Sequence, residues 1–270
     1  MSDPGVVRVL HIADVVGTPG RRAVARLLPG LRRELGLDAV VCNAENSADG
    51  RGVHLRAARE LRDAGCDVLT GGNHTFDHPD FPQVLDDDDL RAVRPLNLAP
   101  DAPGAGSVTI RVKGHDLVVL NLIGRVFMQP QDDPFRAADR FLENLPRRSP
   151  RPMIVVDFHA EATSEKQAMG WHLAGRVSSV AGTHTHVPTA DARVLPGETG
   201  YLTDLGMVGP RDSVIGMDID ASLRRFLSYR STRLSVAGGP VAFNAALFEF
   251  DPVRGSCRAV RRVDLLDQQG

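Results

Sequence analysis

The chain has 270 residues and a formal net charge of −2, with 42% hydrophobic and 24% charged residues. This balance is typical of a soluble globular enzyme, and we expect one α/β domain over residues 1–270. The net charge excludes a global positive field that would recruit nucleic acid. No apolar run reaches the roughly 20 residues that span a bilayer, and no signal-peptide pattern is present, so we expect a cytoplasmic protein without a membrane partner.

Short apolar runs alternate with polar turns and helical stretches in the first third of the chain. The runs VVRVLHIADVV, DAVVCNAEN and CDVLTGGN predict buried strands. After a turn at 17–20, RRAVARLLPGLRREL predicts an amphipathic helix that is bent or broken at Pro29-Gly30. HLRAARELRDAG predicts a helix that ends at Gly65. This alternation indicates parallel strands joined by crossover helices.

The pattern changes after the four aspartates at 86–89, which we interpret as a solvated loop or helix end. GSVTIRVKGHDLVVLNLIG predicts a β-hairpin that turns at Lys113-Gly114. PMIVVDFHAE, VSSVAGTHTHV and GYLTDLGMVG predict one strand each, and SEKQAMGWHLAG and ASLRRFLSYR predict helices. TRLSVAGG, PVAFNAALFEFD and SCRAVRRVDLL are strand-like. Antiparallel pieces are therefore added to a mostly parallel core.

Five of the predicted strands deliver side chains that are able to bind metal at their carboxyl ends. These side chains are Asp14, Glu45, Asn46, Asn73, His74, His159, His184 and His186. Ligands of open α/β sheets bind outside the carboxyl ends of the strands, so we expect these residues to converge on one site. Structural roles are the alternative. Asp14 could cap the following helix, Glu45 and Asn46 could be turn residues, and Asn73 could occupy a left-handed position.

The segment THTH gives the sharpest local signal. In an extended segment His184 and His186 point the same way, with Thr185 turned away. Imidazole suits zinc, manganese and iron, whereas carboxylate and amide oxygens suit harder ions. A mixed set of about seven ligands is too large for one tetrahedral zinc. It fits two ions about 3.5–4 Å apart, bridged by a carboxylate for which Glu45 is the candidate.

Motifs along nearly the whole chain resemble those of one protein family. DVVGTPGR, NAENSADGRG, GGNHTFDH, VDFHAEATSEKQAMGW, GTHTHVPTAD and TDLGMVGP resemble the YmdB-type bacterial phosphodiesterases, a branch of the calcineurin-like metallophosphoesterases. The resemblance implies a four-layer αββα sandwich, a homo-oligomer, and two metal ions, with iron or manganese favoured over zinc. It also implies hydrolysis of small phosphodiesters, including 2′,3′-cyclic nucleotides.

The resemblance further implies a division of the ligands between two metals. Asp14, Glu45, Asn46 and His186 would hold one ion, and Glu45, Asn73, His159 and His184 the other. A metal-bridged hydroxide would attack phosphorus, and His74 would donate a proton to the leaving group. From its position three residues after His74, Asp77 either orients His74 and raises its pKa, or caps a helix or turn.

The sequence departs from the broader superfamily at two of these positions. Val16 stands where that superfamily usually has the histidine of Asp-x-His, and Asn46 is the candidate replacement for that ligand. The bridging acid is Glu45 rather than the usual aspartate. Ligand charge and softness set the choice of metal, so these changes bear on metal identity and substrate range.

Two other functions stay open from the sequence. One is a metal-binding regulatory protein with slow or vestigial phosphatase activity, although His74 and the full ligand set favour an enzyme. The other is an RNA-processing nuclease, which needs a basic groove that the net charge does not indicate. The favoured substrate is therefore a small phosphodiester or nucleotide.

Overall fold

The computed structural model describes residues 5–146, 148–228 and 232–269. The first half of the chain contains β1 Val7–Ile12, β2 Asp14–Val15, α1 Gly17–Leu35, β3 Ala39–Asn43, α2 Leu55–Ala64, β4 Val68–Thr70, α3 Phe81–Asp86, β5 Ala92–Val93, β6 Ser107–Val112, β7 His115–Ile123 and α4 Pro134–Asn144. The second half contains β8 Met153–His159, α5 Thr163–Leu173, β9 Ser179–Thr183, β10 Arg193–Leu195, β11 Thr199–Leu202, β12 Met207–Pro210, α6 Ile219–Ser228, β13 Val241–Asp251 and β14 Ser256–Asp267.

The strands form two sheets. The first has the order β2-β12-β13-β1-β3-β4-β5, and β14 also pairs with β13. The second has the order β10-β11-β9-β8-β7-β6. Pairing is parallel from β1 through β3 and β4 to β5, and from β7 through β8 and β9 to β11. Strands β6, β10 and β14 pair antiparallel with their neighbours, so the predicted addition of antiparallel pieces to a parallel core is confirmed.

Three buried apolar clusters separate four layers. The first packs α1, α2 and α3 against the first sheet, around Leu28, Leu61 and Phe81. The second lies between the sheets and includes Val119 and Phe248. The third packs α4 and α5 against the second sheet. Because each sheet is covered by helices on one face and by the other sheet on its second face, the fold is the four-layer sandwich predicted from the sequence.

Helix α1 differs from its prediction at both points where glycine or proline suggested an interruption. Residues 17–20 form the first turn of the helix rather than a separate turn. A β-carbon on Gly20 would lie 2.3 Å from the carbonyl oxygen of Val208, so glycine lets the helix begin against β12. The helix also continues unbroken through Pro29. Burial of Leu28 and Leu31 on the first sheet offsets the hydrogen bond that a proline removes.

The later elements confirm most predictions and correct two. The hairpin turns at Lys113 and Gly114, whose φ angles are 48° and 81°. GYLTDLGMVG is not one strand but two, β11 and β12, which lie in different sheets and are joined by residues 203–206, where Gly206 has a φ of 97°. TRLSVAGG contributes only a single bridge from Met217 to Val236. Residues 229 and 230, predicted as the end of a helix, lie outside the described residues. No described helix has the length and apolar character needed to cross a membrane.

Candidate active site

The side chains predicted to bind metal meet where carboxyl ends of strands from both sheets come together. The first sheet supplies Asp14 in β2 and the residues that follow β3 and β4. The second sheet supplies His159 at the end of β8 and the two histidines after β9. The structure brings all eight predicted residues into one network of contacts: Asp14, Glu45, Asn46, Asn73, His74, His159, His184 and His186.

The Nε2 atom of His159 is the centre of one group of contacts. It lies 2.8 Å from Asn73 Oδ1, 3.0 Å from Glu45 Oε1 and 3.0 Å from His184 Nδ1. Ligand atoms of Glu45, His159 and His184 all lie within 4.8 Å of one another. Oxygen and nitrogen atoms that carry lone pairs therefore converge on a small volume, which fits a metal ion.

Asp14, Asn46 and His186 form a second group. His186 Nε2 lies 3.1 Å from the side-chain amide of Asn46 and 3.8 Å from Asp14 Oδ1. Asp14 Oδ1 is buried without a hydrogen bond from any described residue, and burial raises the pKa of Asp14 to about 6. An unpartnered buried carboxylate oxygen is costly, so this atom also fits a cation ligand. Glu45 Oε1 lies 3.2 Å from the Asn46 amide and joins the two groups.

Hydrogen bonds behind the site orient His159. Thr183 Oγ1 lies 2.6 Å from Asp157 Oδ1, and an ionised carboxylate only accepts, so Thr183 donates to it. Burial raises the pKa of Asp157, but His11 and the Thr183 hydroxyl outweigh burial and hold that pKa below its usual range. The Thr183 oxygen therefore accepts from His159 Nδ1 at 3.0 Å. This arrangement turns His159 Nε2 toward Glu45 and Asn73.

Two imidazoles of the site differ in their protonation. Burial lowers the pKa of His159, but the Glu45 carboxylate outweighs burial and raises it to about 9, so a proton and a metal ion compete for Nε2. Burial and the neighbouring His159 lower the pKa of His184 to about 3, so its ring is neutral. His184 Nε2 lies 3.1 Å from Glu161 Oε2 and donates to it, which leaves the lone pair of Nδ1 facing His159.

The loop that carries His184 and His186 is not extended. Their φ angles are 101° and 63°, so the prediction that the two side chains share one face of an extended segment is wrong. Both histidines nevertheless line one cavity, because contacts from other elements bend the loop. Asp204 accepts from the Thr185 backbone at 3.2 Å and from its hydroxyl at 2.7 Å, and His186 Nδ1 donates to the Ile215 carbonyl at 2.8 Å.

His74 lies at the rim of the cavity. Its backbone N–H donates to Glu45 Oε2 at 2.9 Å, and its ring Nδ1 lies 2.6 Å from Asp77 Oδ2. Because the carboxylate accepts, Nδ1 carries a proton and Nε2 faces Asn73, whose amide is 3.2 Å away. Burial raises the pKa of Asp77, but hydrogen bonds from Arg51 and His74 lower it overall. Asp77 thus contacts His74 as expected of an orienting residue, and the N-cap of α3 is Asp80 instead.

The observed positions contradict two of the three structural alternatives given for the ligand residues. Asp14 does not cap α1, whose N-cap is Val16 and lacks a side-chain cap hydrogen bond. Asn73 is not among the residues with positive φ. Glu45 and Asn46 do lie in a turn, but their side chains point into the site. The aspartates at 86–89 form the end of α3 and the residues after it, away from these contacts.

Sequence reasoning missed several residues that support the site. Asp157, Thr183, Asp204 and Glu161 contact its side chains or the loop that carries them. One signal was available for Asp157, because residues two apart in a strand point to the same face, and it precedes His159 by two positions. Asp204 lies far from the histidine loop in sequence, and no local pattern marks it.

The four-layer fold and the metal-capable side chains at its strand ends define a calcineurin-like metallophosphoesterase. Residues 10–263 match the family model described as YmdB-like protein, and the chain belongs to this family. The family predicted from the sequence motifs is therefore confirmed. A relative from Bacillus subtilis (strain 168), named 2′,3′-cyclic-nucleotide 2′-phosphodiesterase, is 40% identical over 261 residues, which cover 97% of this chain and 98% of that protein. A putative phosphatase/phosphodiesterase of Mycoplasma pneumoniae is 35% identical, and the match covers 91% of this chain and 88% of that protein.

Solved structures agree with this assignment. A hypothetical protein from Thermus thermophilus has a TM-score of 0.90 and 42% identity, covering 97% of this chain and all (100%) of that one. A phosphatase from Mycoplasma pneumoniae has a TM-score of 0.91 and 32% identity, and the match covers 99% of this chain and 95% of that one. A putative 5′-nucleotidase from Staphylococcus aureus, at 12% identity and a TM-score of 0.62, covers 97% of this chain and 55% of its own and shares the fold alone.

Proposed function

We propose that this protein is a metal-dependent phosphodiesterase that hydrolyses small nucleotide diesters, including 2′,3′-cyclic nucleotides. The supporting observation is the convergence of two groups of ligand atoms, joined by Glu45 Oε1, at the ends of strands from both sheets. The name of the Bacillus subtilis relative, which matches almost the full length of this chain, supports the same substrate class.

The two groups divide the ligands between two metal ions. Asp14, Glu45, Asn46 and His186 would hold one ion, and Glu45, Asn73, His159 and His184 the other. In the structure the amide nitrogen of Asn46 faces His186. Binding of a metal through the amide oxygen requires that the two atoms exchange places, which leaves the shape of the side chain unchanged. The mixture of imidazole, carboxylate and amide donors suits iron or manganese, with zinc as the alternative.

Metal ions bound there would supply Lewis-acid polarisation of the phosphoryl group and a nucleophile at neutral pH. The remaining chemistry belongs to the side chains. His74 Nε2 faces the cavity and donates a proton to the departing alkoxide. Asp77 accepts from Nδ1 of the same ring, so it sets the ring orientation and stabilises the imidazolium form.

Substitution of ligands from both sheets tests the metal site. Asp14→Asn and His159→Ala should each lower the metal content of protein purified without chelator and abolish hydrolysis of 2′,3′-cyclic AMP. Elemental analysis measures the metal, and Asp88→Asn in the exposed run at 86–89 is the matched control. Two metals retained in both variants would exclude this ligand set. Metal bound without any diester hydrolysis by the unaltered protein would exclude the enzymatic function.

Substitution of the proton donor tests the role of His74. His74→Gln should keep the metal content and lower kcat by about 10²–10⁴-fold on a cyclic nucleotide, whose leaving alkoxide needs a proton. The loss should be much smaller on a bis-aryl phosphate with an acidic phenol. His78→Gln, in the same loop but paired with Asp80, is the control. Equal losses on both substrates would contradict proton donation by His74.

A further inference from the structure

Two arginines that have no acidic partner among the described residues line the cavity that contains the ligand groups. The cavity has a volume of about 630 Å³, and its lining includes Arg51, Arg225 and Arg233. Arg51 is paired with Asp77 at 2.5 Å. Arg225, on α6, and Arg233, in the segment beyond that helix, are exposed and make no ion pair or side-chain hydrogen bond with any residue in the described ranges.

Some exposed arginines of the molecule are neutralised by neighbouring carboxylates, and others make no ion pair among the described residues, so Arg225 and Arg233 are distinguished by their place in the lining of this cavity. Arg211 binds Asp212 and Arg148 binds Asp116, both at 2.8 Å. The cavity itself contains one exposed acid, Asp49, which lies beyond ion-pair distance of Arg225 and Arg233 in the described chain. The two guanidinium groups therefore concentrate positive charge at the cavity, where an incoming anion would neutralise it.

We propose that Arg225 and Arg233 form a subsite for a second phosphate of the substrate, separate from the phosphate that is hydrolysed. This inference rests on the proposed function, which assigns the scissile diester to the ligand groups. A guanidinium binds phosphate through two parallel hydrogen bonds and keeps its charge at all working pH values. The favoured substrate is then a nucleotide that ends in a 2′,3′-cyclic phosphate and carries a further phosphate on its 5′ side.

The composition of the cavity is consistent with a nucleotide between the two phosphates. Ile215, Met217 and Leu234 line the same cavity and offer apolar and thioether surface to a base or ribose. The volume lies in the range of ordinary ligand sites, about 300–1,000 Å³. In the reaction, water adds across one P–O bond of the cyclic diester to give a monoester and a free hydroxyl. The second phosphate is bound but chemically unchanged.

Three substrates with the same scissile ring test the subsite: 2′,3′-cyclic AMP, its 5′-phosphorylated form, and a dinucleotide that ends in the same cyclic phosphate. For the metal-loaded protein we expect kcat/KM to be about tenfold or more higher on one or both phosphate-bearing substrates, as charge-assisted hydrogen bonds imply. The phosphate-bearing substrate with the higher kcat/KM shows whether the second phosphate is a free 5′-phosphate or part of an oligonucleotide backbone.

Substitution of the two arginines tests whether they cause the higher kcat/KM on substrates with a second phosphate. The ratio to measure is kcat/KM on a substrate with the second phosphate divided by kcat/KM on 2′,3′-cyclic AMP. Arg225→Gln and Arg233→Gln should each lower this ratio, and the double variant should bring it near one. Arg224→Gln, adjacent on α6 but outside the cavity lining, should leave that ratio unchanged. Equal kcat/KM on all three substrates, or an advantage that survives the double substitution, would overturn the subsite. Failure to hydrolyse any of the three would instead overturn the proposed function.

Discussion

At Gly72 the backbone passes so close to the ligand groups that no side chain fits. A β-carbon there would lie 2.2 Å from Glu45 Oε2 and 2.5 Å from His159 Nε2. Gly72 is not among the residues with positive φ, so close approach rather than backbone conformation requires the glycine. The run CDVLTGGN predicted only a buried strand, because a steric requirement set by residues 27 and 87 positions away leaves no local pattern.

Gly72→Ala should therefore displace Glu45 or His159 and weaken metal binding by at least about tenfold, with a smaller change in folding stability. Isothermal titration with Mn²⁺ measures the affinity. Gly30→Ala is the matched control, because no atom lies within 4 Å of its added β-carbon. In a helix that control should raise stability by roughly 1 kcal/mol and leave the affinity unchanged. Unaltered metal affinity in Gly72→Ala would show that the site has room for a methyl group.

The residues that sequence reasoning identified share one property. Each metal-capable side chain lies at or just after the end of an apolar run, where a polar residue is conspicuous. Asp157 and Thr183 belong to the buried strands β8 and β9 and act through His159. The apolar run around each of them predicted a strand and gave no sign of a role in the site. Reasoning from strand ends therefore finds the residues that face the cavity and misses the strand residues that orient His159.

Among the elements, the loop from His184 to His186 departs furthest from its prediction. Positive φ costs about 1–2 kcal/mol for a residue with a β-carbon, and both histidines adopt it. Asp204 offsets this cost by accepting two hydrogen bonds from Thr185 and pairing with the buried Lys166 at 2.5 Å. Such a conformation could not be predicted from THTH, because the compensating contacts come from β11–β12 and α5.

Thr185→Val tests whether this loop is held in place for metal binding. The variant keeps the side-chain shape but loses the 2.7 Å hydrogen bond to Asp204, which leaves a buried acceptor with one fewer donor. Metal affinity should fall by about tenfold for a loss of 1–2 kcal/mol. Thr185→Ser retains the hydroxyl and should bind metal as the unaltered protein does. Equal metal affinities in the two variants would show that the hydrogen bond from Thr185 to Asp204 does not support metal binding.

For the whole molecule, the alternation of strands and helices and the family motifs predicted the layers correctly. The assignment of strands to sheets could not be predicted in the same way. β11 and β12 are separated by four residues, 203–206, yet one joins β9 in the second sheet and the other joins β2 and β13 in the first. Their pairing depends on partners distant in sequence. The homo-oligomer implied by the resemblance stays a prediction.

Because the proposed cation ligands are divided between the two sheets, neither half of the sandwich could complete the proposed centre alone. The first sheet supplies Asp14, Glu45 and Asn73 and the second supplies His159 and His184, and these side chains meet at the strand ends of the docked sheets. Tight cation uptake therefore requires that the sheets have already docked in the correct register. A nascent or partly misassembled chain would bind the ion poorly, so occupancy of the proposed centre would report that folding is complete.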